Sequence, residues 1–306
     1  MTRPSRALAT IGLMLASFIT AAVAGGGTAQ ASTQICDKYG SATVQDRYIV
    51  MNNRWGVDTP QCVNVGTAGF AITASHNKPT NGAPASYTAI YYGCHYDNCS
   101  PHTTLPMQIG KISSATSSVS FSYPASGVYN VSYDIWLDPA ANSHGTNKQE
   151  LMIWFAKRGP IHPVGSRVAT ATIGGHTWDV WSGFNGSSDV VSYVAQSPIT
   201  KWNFDVRAFI DNVKTRSTVT NAWYMTSIQA GFEPWVGGTG LAVNDFAANV
   251  SGGGTSGAVP PPAPSHTPSS PAPSHVPSHV PSQSHAASAG STPSTRPASP
   301  SGRPCR

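Results

Sequence analysis

Residues 148–159 read KQELMIWFAKRG, and their alternation predicts a strand of a β-sheet. Successive side chains of a strand point to opposite faces of the sheet. Leu151, Ile153 and Phe155 then share one face, which is an ordinary apolar core face. The other face places Glu150 in line with a thioether and an indole, so this strand sets a charge among apolar side chains.

The same alternation recurs between turn residues along the chain. The clearest runs are GFAITAS (69–75), SYTAIYYG (86–93), SSVSFSYP (117–124), GVYNVSYDIWLDP (127–139), TWDVWSGF (177–184) and VVSYVAQS (190–197). Many short alternating strands with turn signals predict an all-β sandwich or closed sheet. One segment differs, because Val206, Phe209, Ile210 and Val213 recur at helical spacing. That spacing predicts a single amphipathic helix packed outside the sheets.

The two ends of the chain are expected to lie outside this fold. Residues 1–31 have a basic start, an apolar stretch and a small-x-small ending, which predicts a secretory signal peptide cleaved after Ala31. A membrane anchor is the alternative, although the stretch is short and broken by polar residues. Residues 251–306 contain no aromatic residue and no acid, which predicts a disordered Pro/Ser/His-rich linker or tail. One folded domain, 32–250, remains, and we expect it to be secreted and extracellular.

The distribution of charged residues along the chain bears on whether a nucleic acid is a partner. Five of the 18 Lys and Arg residues lie in the two ends, so the middle holds 13 basic and 13 acidic residues and is neutral. The basic net charge is therefore no sign of nucleic-acid binding. No phosphate-binding loop is found. Four tail histidines recur with nothing to preorganise them, so no metal site is expected: His266, His275, His279 and His285.

Cysteine usage fits an exported protein. Cys94 and Cys99 lie close together in CHYDNC and can close a small loop, which leaves Cys36 and Cys62 to pair with each other. Four cysteines allow three connectivities, and this one is favoured. Cys305 is left over, either as a truncation scar or as a free thiol.

The glutamates are few and share one setting. The chain has only two among its 13 acidic residues, Glu150 and Glu233, and each shares a strand face with a Trp opposite a core face. Asp134 behaves alike, because it shares a face with Trp136. For one such residue, a solvent-facing position on a half-buried strand is the better interpretation. Three carboxylates in the same setting favour a site.

Carboxylates beside aromatic rings suit a glycan. Aromatic rings offer flat apolar faces to sugar rings, while carboxylates bind hydroxyl groups or act as acid and base. Cleavage of a glycosidic bond needs a pair of carboxyl groups, one kept protonated by its surroundings and one ionised. The pattern therefore predicts a glycan site with hydrolytic chemistry.

Two motifs carry a family resemblance. ELMIW at 150–154 and GFEPW at 231–235 resemble the two signatures of glycoside hydrolase family 12, which are secreted endo-β-1,4-glucanases (cellulases). The similarity continues in CDKY (36–39), NNRWG (52–56), GPIHPVGS (159–166) and YVAQS (193–197), and covers roughly 36–250. The resemblance implies a catalytic jelly-roll domain: a sandwich of two curved antiparallel sheets with one external helix and a concave substrate cleft.

The resemblance also implies roles for single residues. In a retaining enzyme that cleaves β-1,4-glucosidic bonds, Glu150 becomes the nucleophile, Glu233 the acid/base and Asp134 a supporting carboxylate. The implied substrate-binding residues are Asn53, Trp55, Met152, Trp154, Tyr39, Trp136 and Trp235. Many members carry a Trp at the place of Tyr39, and His162 is a second departure. The favoured disulfide pairing agrees with the bacterial branch of the family.

Two other interpretations stay open. A xylanase of the related family that shares this jelly roll also uses two glutamates, but carries tyrosines on its nucleophile strand. A non-catalytic glycan-binding jelly roll needs the aromatic residues but has no use for two facing glutamates. The expected partner is a β-glucan such as cellulose, mixed-linkage glucan or xyloglucan. We expect a monomer with no cofactor, no metal, no nucleic acid and no membrane partner.

Overall fold

The computed structural model describes residues 33–253, which form two β-sheets and one α-helix. The strands are β1 (Thr33–Ile35), β2 (Ser41–Val44), β3 (Tyr48–Met51), β4 (Val63–Val65), β5 (Phe70–Ile72), β6 (His76–Asn77), β7 (Thr88–His95), β8 (Asn98–Cys99), β9 (Met107–Gln108), β10 (Ile112–Ser122), β11 (Val128–Asp138), β12 (Gln149–Arg158), β13 (Ser166–Ile173), β14 (His176–Phe184), β15 (Asp189–Ala195), β16 (Lys201–Asp205), β17 (Tyr224–Gly237) and β18 (Ala242–Gly252). The helix α1 spans Val206–Lys214, and a 3₁₀ turn spans Ile109–Lys111. The expected signal peptide, the tail beyond Gly253 with its histidines, and Cys305 lie outside the described residues.

The two sheets differ in size. The smaller has the order β1-β4-β5-β18-β10-β16. The larger has the order β13-β14-β15-β12-β11-β17-β7-β3-β2, with β6 and β9 paired to β17 and β8 paired to β7. This confirms the predicted all-β sandwich. One pair departs from the antiparallel expectation, because β12 and β15 run parallel, with Glu150 opposite Val190.

Strand parity separates core from groove, as the alternation predicted. Leu151, Ile153 and Phe155 are fully buried in the main core between the sheets. The opposite face of the same strand carries Met152 and Trp154, which belong to a separate apolar cluster on the outer side of the larger sheet. One face of β12 therefore packs in the core between the sheets, and the other face contributes to the separate outer cluster.

The single helix begins and ends close to the predicted positions. Its buried residues are the four predicted ones: Val206, Phe209, Ile210 and Val213. The side chain of Asp205 caps the helix by accepting a hydrogen bond from the backbone N–H of Arg207. Residues before the cap form β16, so the helix does not extend toward Lys201. Within residues 33–253, no helix is long and apolar enough to cross a membrane.

The C-terminal boundary needs a correction. β18 continues to Gly252, and its register places Ser251 opposite Ser114 and Gly252 opposite Ile112. These ladder pairings carry the fold past residue 250, where the composition had suggested that it ends. Disulfides join Cys36 to Cys62 and Cys94 to Cys99, which are the two pairs that the sequence favoured.

Candidate active site

The three carboxylates come from three adjacent strands. β11 carries Asp134 and lies between β12 and β17. On β12, Glu150 is opposite Trp136, while on β17, Glu233 is opposite Asn130. The β11 residues that lie opposite the two glutamates, Trp136 and Asn130, are therefore six positions apart.

This register implies a curved sheet. Along a straight strand, six residues span about 20 Å, which is too far for two glutamate side chains to interact strongly. Yet the charge of Glu150 raises the pKa of Glu233. β11 has register irregularities between Val131 and Ser132 and between Trp136 and Leu137, and such bulges bend strands. The two glutamates therefore lie close enough for their charges to interact, and the bent sheet between them forms a groove.

Two rows of residues cross the larger sheet between the row of Glu150 and the row of Glu233, and they form the floor of this groove. One row crosses six strands through Trp181, Ser192, Met152, Asp134, Gln229 and Tyr91. The next row passes through Val194, Trp154, Ser132, Gly231 and Ala89. Only glycine fits at Gly231, since a Cβ there would meet the Thr88 carbonyl oxygen at 2.1 Å. That close approach explains the glycine of the GFEPW motif.

Two of the predicted substrate-binding residues, Trp154 and Trp235, are buried in the structure. Trp154 and Trp235 are 2% and 5% exposed, and they pack with Met152 and Ile161 in one apolar cluster. The loop that follows β12 supplies Ile161, and the indole N–H of Trp235 donates to the carbonyl of Gly82, 2.7 Å away. These rings therefore present little exposed surface, and their role in substrate binding stays a prediction.

Glu150 has a dedicated donor. The Nδ2 of Asn185 donates to Glu150 Oε2 at 2.8 Å. Asn185 Oδ1 accepts from the backbone N–H groups of Ser187 and Ser188, which fixes the amide with Nδ2 toward the carboxyl group. The sequence did not single out Asn185, because NGSS is typical of any tight turn.

The carboxyl groups of Asp134 and Glu150 influence each other's pKa. Burial raises the pKa of Asp134 well above its usual range, and the charges of Glu150 and then Glu233 add to the effect. Burial also raises the pKa of Glu150 to about 7, while hydrogen bonds from Asn185 and Asp134 act to lower it. Asp134 is the deeper of the two groups and is subject to two like charges, which favours its protonated form.

The hydroxyl groups near Asp134 complete this setting. Ser132 Oγ lies 3.4 Å from Asp134 Oδ1. The Tyr87 hydroxyl is close enough to lower the pKa of Asp134, although its geometry falls short of a hydrogen bond. Tyr87 itself is buried, at 5% exposure.

Glu233 is the more strongly shifted glutamate. Burial, and then the charge of Glu150, raises its pKa to about 8, against a lowering effect of the Asn130 hydrogen bond. Asn130 Nδ2 donates to Glu233 Oε2, and Asn130 Oδ1 accepts from the backbone N–H of Glu233 at 3.1 Å. Asn130 was not predicted, but it lies on the face of β11 that carries Asp134, which was a usable signal. Burial and the charge of Glu150 together favour the protonated form of Glu233.

The remaining predicted residues lie around the groove. Trp136 is half-buried opposite Glu150. The backbone carbonyl of Asn53 accepts from the N–H of Tyr87 at 3.2 Å, which ties the Asn53 segment to the groove. Trp55 is 42% exposed and Tyr39 67% exposed, so these two rings, unlike Trp154, offer open faces.

Two histidines lie at opposite ends of the floor row. His162 stacks on Trp181 with ring centroids 5.3 Å apart. His95, which the sequence did not point to, contacts Gln229 through Nδ1 at 3.3 Å, and burial lowers its pKa to about 4. Among residues 33–253, no group of three His, Cys, Asp or Glu side chains is arranged to hold a metal ion.

Comparison with known proteins places this geometry in context. The family model described as Glycosyl hydrolase family 12 matches residues 46–251. The probable cellulase Cel12b of Mycobacterium tuberculosis is 48% identical over 149 residues, which cover 49% of this chain and 99% of that protein. The xyloglucan-specific endo-beta-1,4-glucanase A of Emericella nidulans is 32% identical over 250 residues, covering 79% and 99%. The solved structure of the cellulase endo-1,4-beta-glucanase CelB2 is 54% identical with a TM-score of 0.71, covering 72% and 99%.

Proposed function

Because the chain belongs to glycosyl hydrolase family 12, we propose that Glu150 and Glu233 hydrolyse internal β-1,4-glucosidic bonds of a glucan with retention of configuration. The observation that carries this proposal is that two interacting glutamates, both with raised pKa values, are each held by an amide donor, Asn185 for Glu150 and Asn130 for Glu233. Such a pair supplies one acid and one nucleophile to the same bond.

The first step uses the two groups in their resting states. The ionised form of Glu150, which the hydrogen bond from Asn185 favours, attacks the anomeric carbon of the bound glucan with its carboxylate. Glu233 transfers its proton to the glycosidic oxygen as the bond to the leaving chain breaks. The products are a glycosyl ester on Glu150, an ionised Glu233 and a free chain end.

The second step follows from the coupling of the two charges. The ester removes the charge of Glu150, and with it one of the causes that raise the pKa of Glu233. Glu233 therefore stays ionised long enough to take a proton from water. The water oxygen attacks the anomeric carbon from the side the leaving chain vacated, which restores the original configuration and frees Glu150.

Glucans are the substrates that the relatives support. Both named curated relatives are described as enzymes of β-glucans, one as a cellulase and one as specific for xyloglucan. We extend that class to this chain, with cellulose, mixed-linkage glucan and xyloglucan as candidates. We also propose that the protein is secreted, since two disulfides fit an oxidising compartment.

Release of reducing ends from soluble β-glucan tests the proposal. Wild-type enzyme should cleave it, and Glu150→Gln should lose at least about a thousandfold in kcat, as expected when a nucleophile is removed. Asp245→Asn, at an exposed position of β18, is the matched control and should keep full activity. Binding of glucan without any release of reducing ends would instead identify a non-catalytic glycan-binding module.

A further inference from the structure

A buried histidine connects the strand of Glu233 to the loop of Trp55. β6 pairs with β17 just beyond Glu233, with His76 opposite Gly237. The His76 ring is 5% exposed, and its Nε2 lies 2.7 Å from Gln61 Oε1. His76 takes no part in the catalytic steps above.

The hydrogen-bond network fixes the state of this ring. Asn52 Nδ2 donates to the backbone carbonyls of Asp37 (2.9 Å) and Gln61 (2.8 Å), which can only accept. Asn52 Oδ1 must then face Gln61 Nε2, 2.7 Å away, so Gln61 presents Oε1 to His76. Since Oε1 can only accept, His76 Nε2 carries the hydrogen.

The other ring nitrogen cannot take a second proton easily. His76 Nδ1 finds no hydrogen-bond partner among the described residues. The charged groups that act on the ring are Arg54 and Lys78, and burial followed by these two cations lowers the pKa of His76. The imidazole is therefore a neutral donor to Gln61.

This network stabilises the segment around Asn53, whose backbone conformation is unfavourable by itself. Asn53 has φ +42°, a left-handed conformation that is costly for a residue other than glycine. Its neighbour Asn52 is fixed by Gln61 and by Thr88, whose Oγ1 donates to the Asn52 carbonyl at 2.8 Å. Trp55 lies two residues after Asn53, and its ring is exposed.

We propose that His76 is a positioning residue that holds the segment from Asn53 to Trp55 in place relative to Glu233, and so sets affinity for the glucan units that stack on Trp55. The inference rests on the proposed function. Without the donor on His76, Gln61 Oε1 keeps only the longer contact from Ser86 Oγ at 3.3 Å, and the hold of the Gln61 amide on Asn52 is weakened. The loss then falls on substrates long enough to reach Trp55.

Oligosaccharides of increasing length separate this role from a structural one. His76→Leu should raise KM roughly tenfold for cello-oligosaccharides that reach Trp55, with kcat little changed. Aryl glycosides that are too short to reach Trp55 should be unaffected. His76→Gln should restore most of the affinity, because its amide can donate to Gln61. The control His102→Leu removes an exposed ring that contacts only Asp46, and should behave as wild type.

A double-mutant cycle gives the second readout. If His76 acts through Trp55, His76→Leu combined with Trp55→Ala should be no worse than Trp55→Ala alone. Additive losses, or equal losses for short and long substrates, would overturn the inference. If His76→Leu fails to fold, Thr88→Val removes another bond of the same network and must give the same length-dependent loss. Failure of wild type to cleave any β-glucan would instead refute the proposed function.

Discussion

Asn130 holds Glu233 at two points, donating from Nδ2 to the carboxyl group and accepting from the backbone N–H. One side chain therefore fixes both the position of the proposed acid/base, Glu233, and its proton affinity. The same pairing spans the register between β11 and β17, so it also ties one wall of the groove to the floor strand.

Removal of this donor should shift the basic limb of the pH profile. The Asn130 hydrogen bond lowers the pKa of Glu233, so Asn130→Ala should raise that pKa and move the basic limb of kcat/KM to higher pH. We expect kcat to fall about tenfold, as for a misaligned general acid. Asn203→Ala, at an exposed position of β16, is the control. A basic limb at the wild-type position would show that Asn130 does not tune Glu233.

Asn185 should act on the other limb. Its Nδ2 stabilises ionised Glu150, so Asn185→Ala should raise the pKa of Glu150 and move the acid limb to higher pH. Loss of a hydrogen bond to a charged group predicts a drop in kcat of about 10- to 100-fold. The measurement is the pH dependence of kcat against that of the Asn203→Ala control. An unchanged acid limb would contradict the role assigned to Asn185.

Azide should separate the two glutamates. Glu150→Ala should be inactive and recover in azide with formation of the α-glycosyl azide. Glu233→Ala should keep activity on aryl glycosides with good leaving groups, where protonation matters least, and give the β-azide. NMR of the first sugar released by wild type should show the β-anomer, and an initial α-anomer would refute retention. In a solved complex, the two carboxyl groups should lie about 5–5.5 Å apart.

The raised pKa values predict a stability that falls with pH. Folded Glu233 has a pKa of about 8 and Glu150 of about 7, against 4.5 for an ordinary glutamate. Between pH 4.5 and 8 the folded state binds more protons than the unfolded state, so the free energy of unfolding decreases as pH rises. The Glu233→Gln variant cannot lose this proton, so its free energy of unfolding should fall less as pH rises. It should exceed that of wild type by a few kcal/mol at pH 8 and by little at pH 4.5.

Urea unfolding of both proteins at pH 4.5 and 8 measures this difference. The matched control is Asp245→Asn, which changes an exposed carboxyl group and should follow the wild-type curve. Parallel curves for wild type and Glu233→Gln would show that Glu233 has an ordinary pKa in the folded protein.

Alternation and motif spacing predicted the strands, the helix and the shared face of the carboxylates. These features depend on periods of 2 and 3.6 residues, which are local and visible in the chain. Leu151 and Phe209 lie in the core where the pattern placed them. The pairing of Glu150 with Asp134 also follows from neighbouring strands, once the family resemblance supplies their order.

Register, curvature and loop placement could not be predicted in this way. The burial of Trp154 depends on Ile161, which arrives from a loop whose path no periodicity encodes. The contact of Asn185 with Glu150 depends on which strands are neighbours and in which direction they run. His95 reads as an ordinary polar residue near a disulfide, and only the packing around it shows that it is buried.

The parallel alignment of β12 and β15 has a consequence for engineering. Since both strands start at the same edge of the sheet, the short turn ahead of β15 ends beside the first residues of β12. Had the two strands been antiparallel, that turn would lie at the far edge and Asn185 could not reach Glu150. Changing the length of the turn at 185–188 should therefore move Asn185 relative to Glu150 and shift the pH range in which the enzyme works. Such a change leaves both glutamate side chains in place.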